Sequence, residues 1–157
     1  PNRTGGAIMQ KNLETLGDIQ YTQDEIDFAL DMQKANGKPL IGIDGKIRPL
    51  RETLESPGGG STDVGDVSYN MPVVSLAATT APKGVPWHSW SVVASSGMSI
   101  GHKGMLHAAK ALGMSMIDIY KDNKLREEIK KEFDERIGDY DYDPYLNPGP
   151  PPIDYVD

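Results

Sequence analysis

The stretch from residue 101 to 120, GHKGMLHAAKALGMSMIDIY, constrains the fold more than any other part of the chain. Met105, Ala108, Ala109, Leu112, Met116, Ile117 and Tyr120 recur at helical spacing and form a broad apolar stripe. The spacing predicts a long helix, and its Gly and Ala content would allow a sheet to approach closely. A second helix is expected over residues 123–137. There Leu125, Ile129, Phe133 and Ile137 repeat every fourth position, while Glu127, Glu128 and Lys131 can pair on the wet side. These two segments read as scaffold. Met105, Met114 and Met116 fit core filling better than metal ligation.

The N-terminal third adds two shorter helices. Ile8, Met9, Leu13 and Leu16 can share a face over residues 7–16, with Gly17 as the stop. Thr22 and Glu25 form a capping-box pattern ahead of Ile26, Phe28, Ala29, Leu30 and Met32, and Asn36-Gly37 ends that helix. Residues 38–60 are rich in Gly, Pro and charge and read as a long connection with one short strand at 40–43. Extended runs are expected at 64–69, 72–79 and 90–94. The second contains Val73-Val-Ser-Leu-Ala-Ala and would sit centrally in a sheet. The expected fold class is therefore α/β, a layered sheet with helices packed on it, in one domain over 1–157 ending in an extended Pro/Tyr/Asp-rich tail at 139–157.

With 157 residues the chain can bury a real core, roughly two thirds of its extended surface. Its 23 acidic and 16 basic residues give a net charge of -7, and no basic block could track a phosphate backbone, so nucleic acid and anionic membrane are poor partners. The absence of cysteine removes disulfides and thiolate chemistry, and there is no long apolar run or leader, so a cytoplasmic setting is expected. A start at Pro1 fits a piece of a longer protein, in which case partners in a site could lie upstream.

The polar residues that stand out lie in the turns. Asp63 and Asp66 are three apart around Gly65 and could converge on one locus, or each could cap a neighbouring turn or helix. His88 follows the stiff Gly84-Val-Pro86 turn between Trp87 and Ser89-Trp90. A neutral imidazole there could reach a metal, or could be packed and hydrogen-bonded. His102 and Lys103 fall where a helix start would expose amides, so Lys103 could meet an anion; His107, mid-helix, suits a surface role. Gly58-Gly59-Gly60 lacks the Gly-Lys-Ser/Thr ending of a phosphate loop.

Taken together, Gly60-Ser-Thr-Asp-Val-Gly-Asp-Val-Ser68, Pro72, Gly84, His88-Ser-Trp90 and Gly101-His-Lys-Gly104 with Ala108-Ala109 resemble the C-terminal part of an M20-family metallopeptidase or amidohydrolase of the aminobenzoyl-glutamate-utilization type. The resemblance covers nearly the whole chain. It implies a zinc-dependent α/β catalytic domain interrupted by a lid domain that makes a homodimer, with this chain re-entering the catalytic domain after the lid. His88 would then be the last ligand of a two-zinc centre, with Asp63, Asp66, Ser89 and His102 supporting the site. The remaining ligands and the catalytic glutamate would lie in a missing N-terminal half and in the lid. The parent would hydrolyse an amide of an N-acyl amino acid such as p-aminobenzoyl-glutamate, a step in folate catabolism. This piece alone would be inactive and would bind no metal tightly. The rival expectation is a non-catalytic α/β remnant, structural or small-molecule-binding, that self-associates through surface its other half should cover.

Overall fold

A computed structural model describes residues 2–51, 62–144 and 149–150. Six helices follow one another: α1 (Arg3–Leu16), α2 (Gln23–Ala35), α3 (Val64–Asn70), α4 (Trp90–Ser96), α5 (Ser99–Lys121) and α6 (Asn123–Ile137). Among the described residues there is no strand, and this overturns the expected α/β sheet.

The misreading has a physical source. Val, Tyr and Trp favour strands only where a pleated neighbour is available to pack and pair with them. Residues 64–69 instead lie in α3 and residues 90–94 lie in α4, while residues 40–43 are irregular. Residues 72–80 run without a turn or bend but have no partner strand among the described residues. Gly104, in the helix expected to admit a sheet, admits this single segment, and so does Gly5 of α1. A Cβ on Gly5 would lie 2.3 Å from Val74 Cγ2, and one on Gly104 would lie 2.2 Å from the Thr79 carbonyl oxygen. The segment therefore lays the Val74 side chain on the first turn of α1 and its own backbone on the second turn of α5, where a Cβ has no room.

The helical core is organised around α5, which packs against α1, α4 and α6, while α1 also packs on α6. Ile100, Gly101, Gly104, Ala111 and Ser115 are the buried positions of α5, and Met9, Leu125 and Ile129 close the apolar core from α1 and α6. Hydrogen bonds fix the registry. Asn12 Nδ2 donates to Ser115 Oγ at 3.0 Å and to Asp118 Oδ2 at 2.9 Å, tying α1 to α5. The Glu132 carboxylate on α6 accepts from the backbone amides of Arg3 and Thr4 and from the Thr4 hydroxyl, while Asn2 Oδ1 caps Gly5. The exposed amides at the start of α1 are thus satisfied by a helix about 130 residues away in sequence. Burial pushes the Glu132 carboxyl up, but those bonds outweigh it and hold the group below the usual carboxylate range.

α2 carries the capping box its sequence predicts, with Thr22 Oγ1 accepting from the Glu25 amide and Glu25 Oε2 accepting from the Thr22 amide. Its Gln33 is fully buried and uses every side-chain group. Nε2 donates to the carbonyls of Gly42 and Lys83, and Oε1 accepts from the amides of Ile41 and Gly42. One amide side chain therefore anchors two stretches of irregular backbone, and neither stretch needs a sheet to hold it.

Candidate functional site

The sequence singles out five residues, and the structure places them as follows. His88 is exposed on the turn after Gly84 and has φ 59°, a left-handed conformation unusual for a residue with a side chain. Ser89 is the N-cap residue of α4, but its hydroxyl turns back to donate to the Pro86 carbonyl at 2.6 Å. Asp63 occupies the N-cap position of α3 without a side-chain capping bond. Asp66 is exposed and accepts a hydrogen bond from the Tyr142 hydroxyl. His102 is exposed in the first turn of α5, where its backbone amide donates to the Met98 carbonyl.

Among the described residues no hydrogen bond or ion pair joins any two of these five, and no group of three His, Asp or Glu side chains could hold a metal ion. A hydrolytic zinc site needs about three protein ligands plus water. The donor set therefore does not fit a zinc centre. This overturns the expectation of zinc as cofactor and of a share in a metal-dependent amidohydrolase reaction. The triple glycine at 58–60, with Gly60 and Ser61 of the motif, lies outside the described residues. The described start of the tail has a definite place. Tyr142 stacks on Tyr69 of α3 and Tyr140 lies tilted against it, with ring centroids 5.5 and 5.2 Å away.

A polar centre does exist, and it lies elsewhere. Lys103 Nζ sits 2.6 Å from Glu25 Oε2, donates to the Gln20 carbonyl at 2.9 Å and lies 5.6 Å from the centre of the Tyr21 ring. Burial pushes the Glu25 carboxyl up, but hydrogen bonds from Lys103, Ser99 and the Thr22 amide outweigh it and hold the group at about 2. Tyr21 moves the other way: burial first, then the charges of Glu25 and Asp44, push its hydroxyl up to about 12. The Tyr21 hydroxyl lies beside Thr79, whose own proton goes to the Asp44 carbonyl at 2.6 Å, and it forms no well-shaped hydrogen bond.

Lys103 thus meets an anion, as its position suggests, but that anion is internal. The centre is internally matched: Glu25 is held ionised, the Tyr21 hydroxyl is held protonated, and Lys103 donates to two oxygens while facing the Tyr21 ring. Its effect is to join the start of α2 to the first turn of α5. The sequence signal is half visible in the Thr22/Glu25 box; the partner, 78 residues away, is not.

The surface is unusual for a body of this size. Among the described residues 17 large hydrophobic side chains stand exposed, against 7 hydrophobic residues buried, so the apolar residues are not mainly spent on this chain's own core. Two helices account for much of the excess. α4 is inverted: Ser91 and Ser95 are fully buried, with Ser91 Oγ accepting from Asn36 Nδ2 at 2.6 Å, while Trp90 and Val93 face outward. α5 is apolar on both sides. Opposite its buried face, Met105, Ala109, Leu112, Met116, Ile117 and Tyr120 cover about 140° of the helix circumference. A helix apolar nearly all round belongs inside a protein.

A cavity near the helix termini, about 480 Å³ and widely open, is lined by Lys11, Lys121 and Lys124 and by Asp118 and Asp122. Asp118 there already accepts from Asn12, and Asp122 from the Leu125 amide. Its charged, shallow walls lack the apolar enclosure of a small-molecule site.

No family model and no solved structure matches this chain. The chain is similar to a subunit of p-aminobenzoyl-glutamate hydrolase from Escherichia coli (strain K12), with 31% identity over 156 residues covering 84% of this chain and 32% of the relative. It spans about one third of that protein's length, and the relationship is distant. No helix among the described residues is long and apolar enough to cross a membrane.

Proposed function

We propose that this chain is a non-catalytic structural module, a helical body that presents α5 and α4 as a face for further polypeptide to cover. One observation carries this: the bare apolar arc of α5, on a helix whose other side is already buried. Covering it would remove large side chains from water at roughly 25 cal/mol per Å², a strong drive to associate. The occupant of this face is a polypeptide of the kind that makes up the two thirds of the relative this chain does not span. The relative's name is that of a hydrolase, yet the polar centre at Glu25 and Lys103 has the satisfied, charge-locked character of a structural joint. A cytoplasmic setting belongs to this reading and rests on the acidic, cysteine-free composition.

The test combines chemistry and surface. Zinc titration by calorimetry and a p-aminobenzoyl-glutamate hydrolysis assay should give neither stoichiometric tight binding nor turnover. A dye that fluoresces on apolar surface should bind the natively folded chain at neutral pH and lose most of that signal in a Met105→Lys/Met116→Lys variant. Tight zinc binding with turnover, or a native state that ignores the dye, would overturn the proposal.

A further inference from the structure

Residues 72–78 carry a second unpartnered surface, made of backbone. They follow Met71 without a turn or bend, and none of their N–H or C=O groups forms a backbone hydrogen bond among the described residues. Pro72 and Val73 are both half-buried, and from Val74 onward burial alternates: Val74, Leu76 and Ala78 are half-buried, while Ser75 and Ala77 are exposed. That period of two is the signature of an extended chain lying with one side on a support. The support is helical, with Val74 seated over Gly5 of α1 and Thr79 over Gly104 of α5. The segment therefore has strand-like alternation, an apolar sequence and a free row of donors and acceptors, the features that make an unpaired edge a template for another strand.

We propose that this segment pairs antiparallel with the same segment of a second copy of the chain, which places a two-stranded ribbon across a twofold axis at Leu76. Three observations favour a second copy as occupant. Residues 71–82 carry no charge, so two copies can approach here despite the net charge of -7 on each. An isologous pair needs no complementary surface beyond the segment itself. A two-stranded ribbon is marginal alone but stable when packed on a helix, and this segment already lies on α1 and α5. Directly opposed residues must share a face, so the half-buried set has to meet its own kind. With the axis at Leu76, Val74 of one copy stands opposite Ala78 of the other, and Ser75 stands opposite Ala77. The bare face of α5 stays available in this arrangement. The inference rests on the structural reading above but adds a separate interface to it.

The register makes the test specific, because Ser75 and Ala77 are exposed and accept charge without disturbing the core. Sedimentation velocity over a concentration series should show a monomer–dimer equilibrium, with alternate amides in 72–78 slow to exchange hydrogen in the dimer. A Ser75→Lys/Ala77→Lys variant sets like charges opposite each other twice and should weaken the dimer about tenfold or more. A Ser75→Lys/Ala77→Glu variant replaces those pairs with opposite charges and should restore it. A chain that stays monomeric throughout, a dimer whose 72–78 amides exchange freely, or equal affinity for the two variants would overturn the proposal. A dimer lost in Met105→Lys/Met116→Lys and untouched by Ser75→Lys/Ala77→Lys would place self-association on α5, refuting the ribbon while leaving the structural reading standing.

Discussion

The two sides of α5 differ in residue size and have opposite circumstances. On its packed side the helix offers Ile100, Gly104, Ala111 and Ser115, each buried, with Ser115 bonded both to the Ala111 carbonyl and to Asn12. On the far side Met105, Leu112 and Met116 stay exposed, Met116 the most of the three at 67%. The packed side uses small residues and polar ties, which set distance and registry. The bare side uses long, flexible methionine and leucine, which adapt to whatever covers them. The face with the larger apolar side chains is the exposed one, so burial here is decided by which neighbours the chain supplies.

The sharpest way to break the packed side is at its charged joint. Lys103→Ala should cost about 3 kcal/mol of unfolding free energy, the lower end for breaking a buried pair because Lys103 keeps 35% of its side-chain exposure while Glu25 keeps 5%. Urea denaturation at neutral pH checks this; a loss below about 1 kcal/mol would mean the pair is solvated and the joint unimportant.

Crowding is the next lever. Gly104→Ala would drive a Cβ into the Thr79 carbonyl and should cost about 2 kcal/mol, whereas the same change at Gly113, on the bare side with nothing within 4 Å, should stabilise the helix by up to about 1 kcal/mol. Thermal melts of the two variants should therefore move in opposite directions. Shifts of the same sign would erase the distinction between the faces.

Acid provides a third test. The Glu25 carboxyl is held at about 2 in the fold against an ordinary 4.5, so its contribution is fully present above pH 4.5 and is lost as the pH falls through 4.5 toward 2. Denaturation midpoints should drop across that window, and Glu25→Gln should flatten the drop while lowering stability at neutral pH. An unchanged acid limb in Glu25→Gln would assign the acid sensitivity to other carboxylates, Glu132 foremost.

A smaller effect is expected on the exposed turn. His88 holds φ 59° without a hydrogen-bonded partner among the described residues, so His88→Gly should stabilise by about 0.5 kcal/mol, the relief of left-handed strain less the added freedom of the unfolded chain. A clear loss of stability would show that the imidazole makes a contact worth more than its strain.

What can be read from the sequence follows the range of the interactions concerned. The Thr22/Glu25 box, the Asn36-Gly37 stop, and the fourfold spacing of Leu125, Ile129, Phe133 and Ile137 are local patterns, and α2 and α6 form where those patterns lie. Residues 64–69 and 90–94 read as strands because Val, Tyr and Trp are ambiguous in runs this short; with no neighbouring strand they close into short helices. The candidate site rests on motif resemblance, and resemblance carries no distances. The polar centre that does form joins Glu25, Lys103, Tyr21 and Asp44, residues linked only by the fold. Nor can periodicity reveal that half of the α5 stripe has no cover, since a stripe records a need for burial and not what meets it.

That last point is the centre of the account, and Met116→Lys tests it most directly. In dilute solution, where the chain stands alone, urea unfolding should show a change smaller than about 0.5 kcal/mol, as for any substitution on a solvated surface. A loss of several kcal/mol, the cost of forcing an unpaired charge into a core, would mean that this side of α5 is already buried within the chain and would contradict the account.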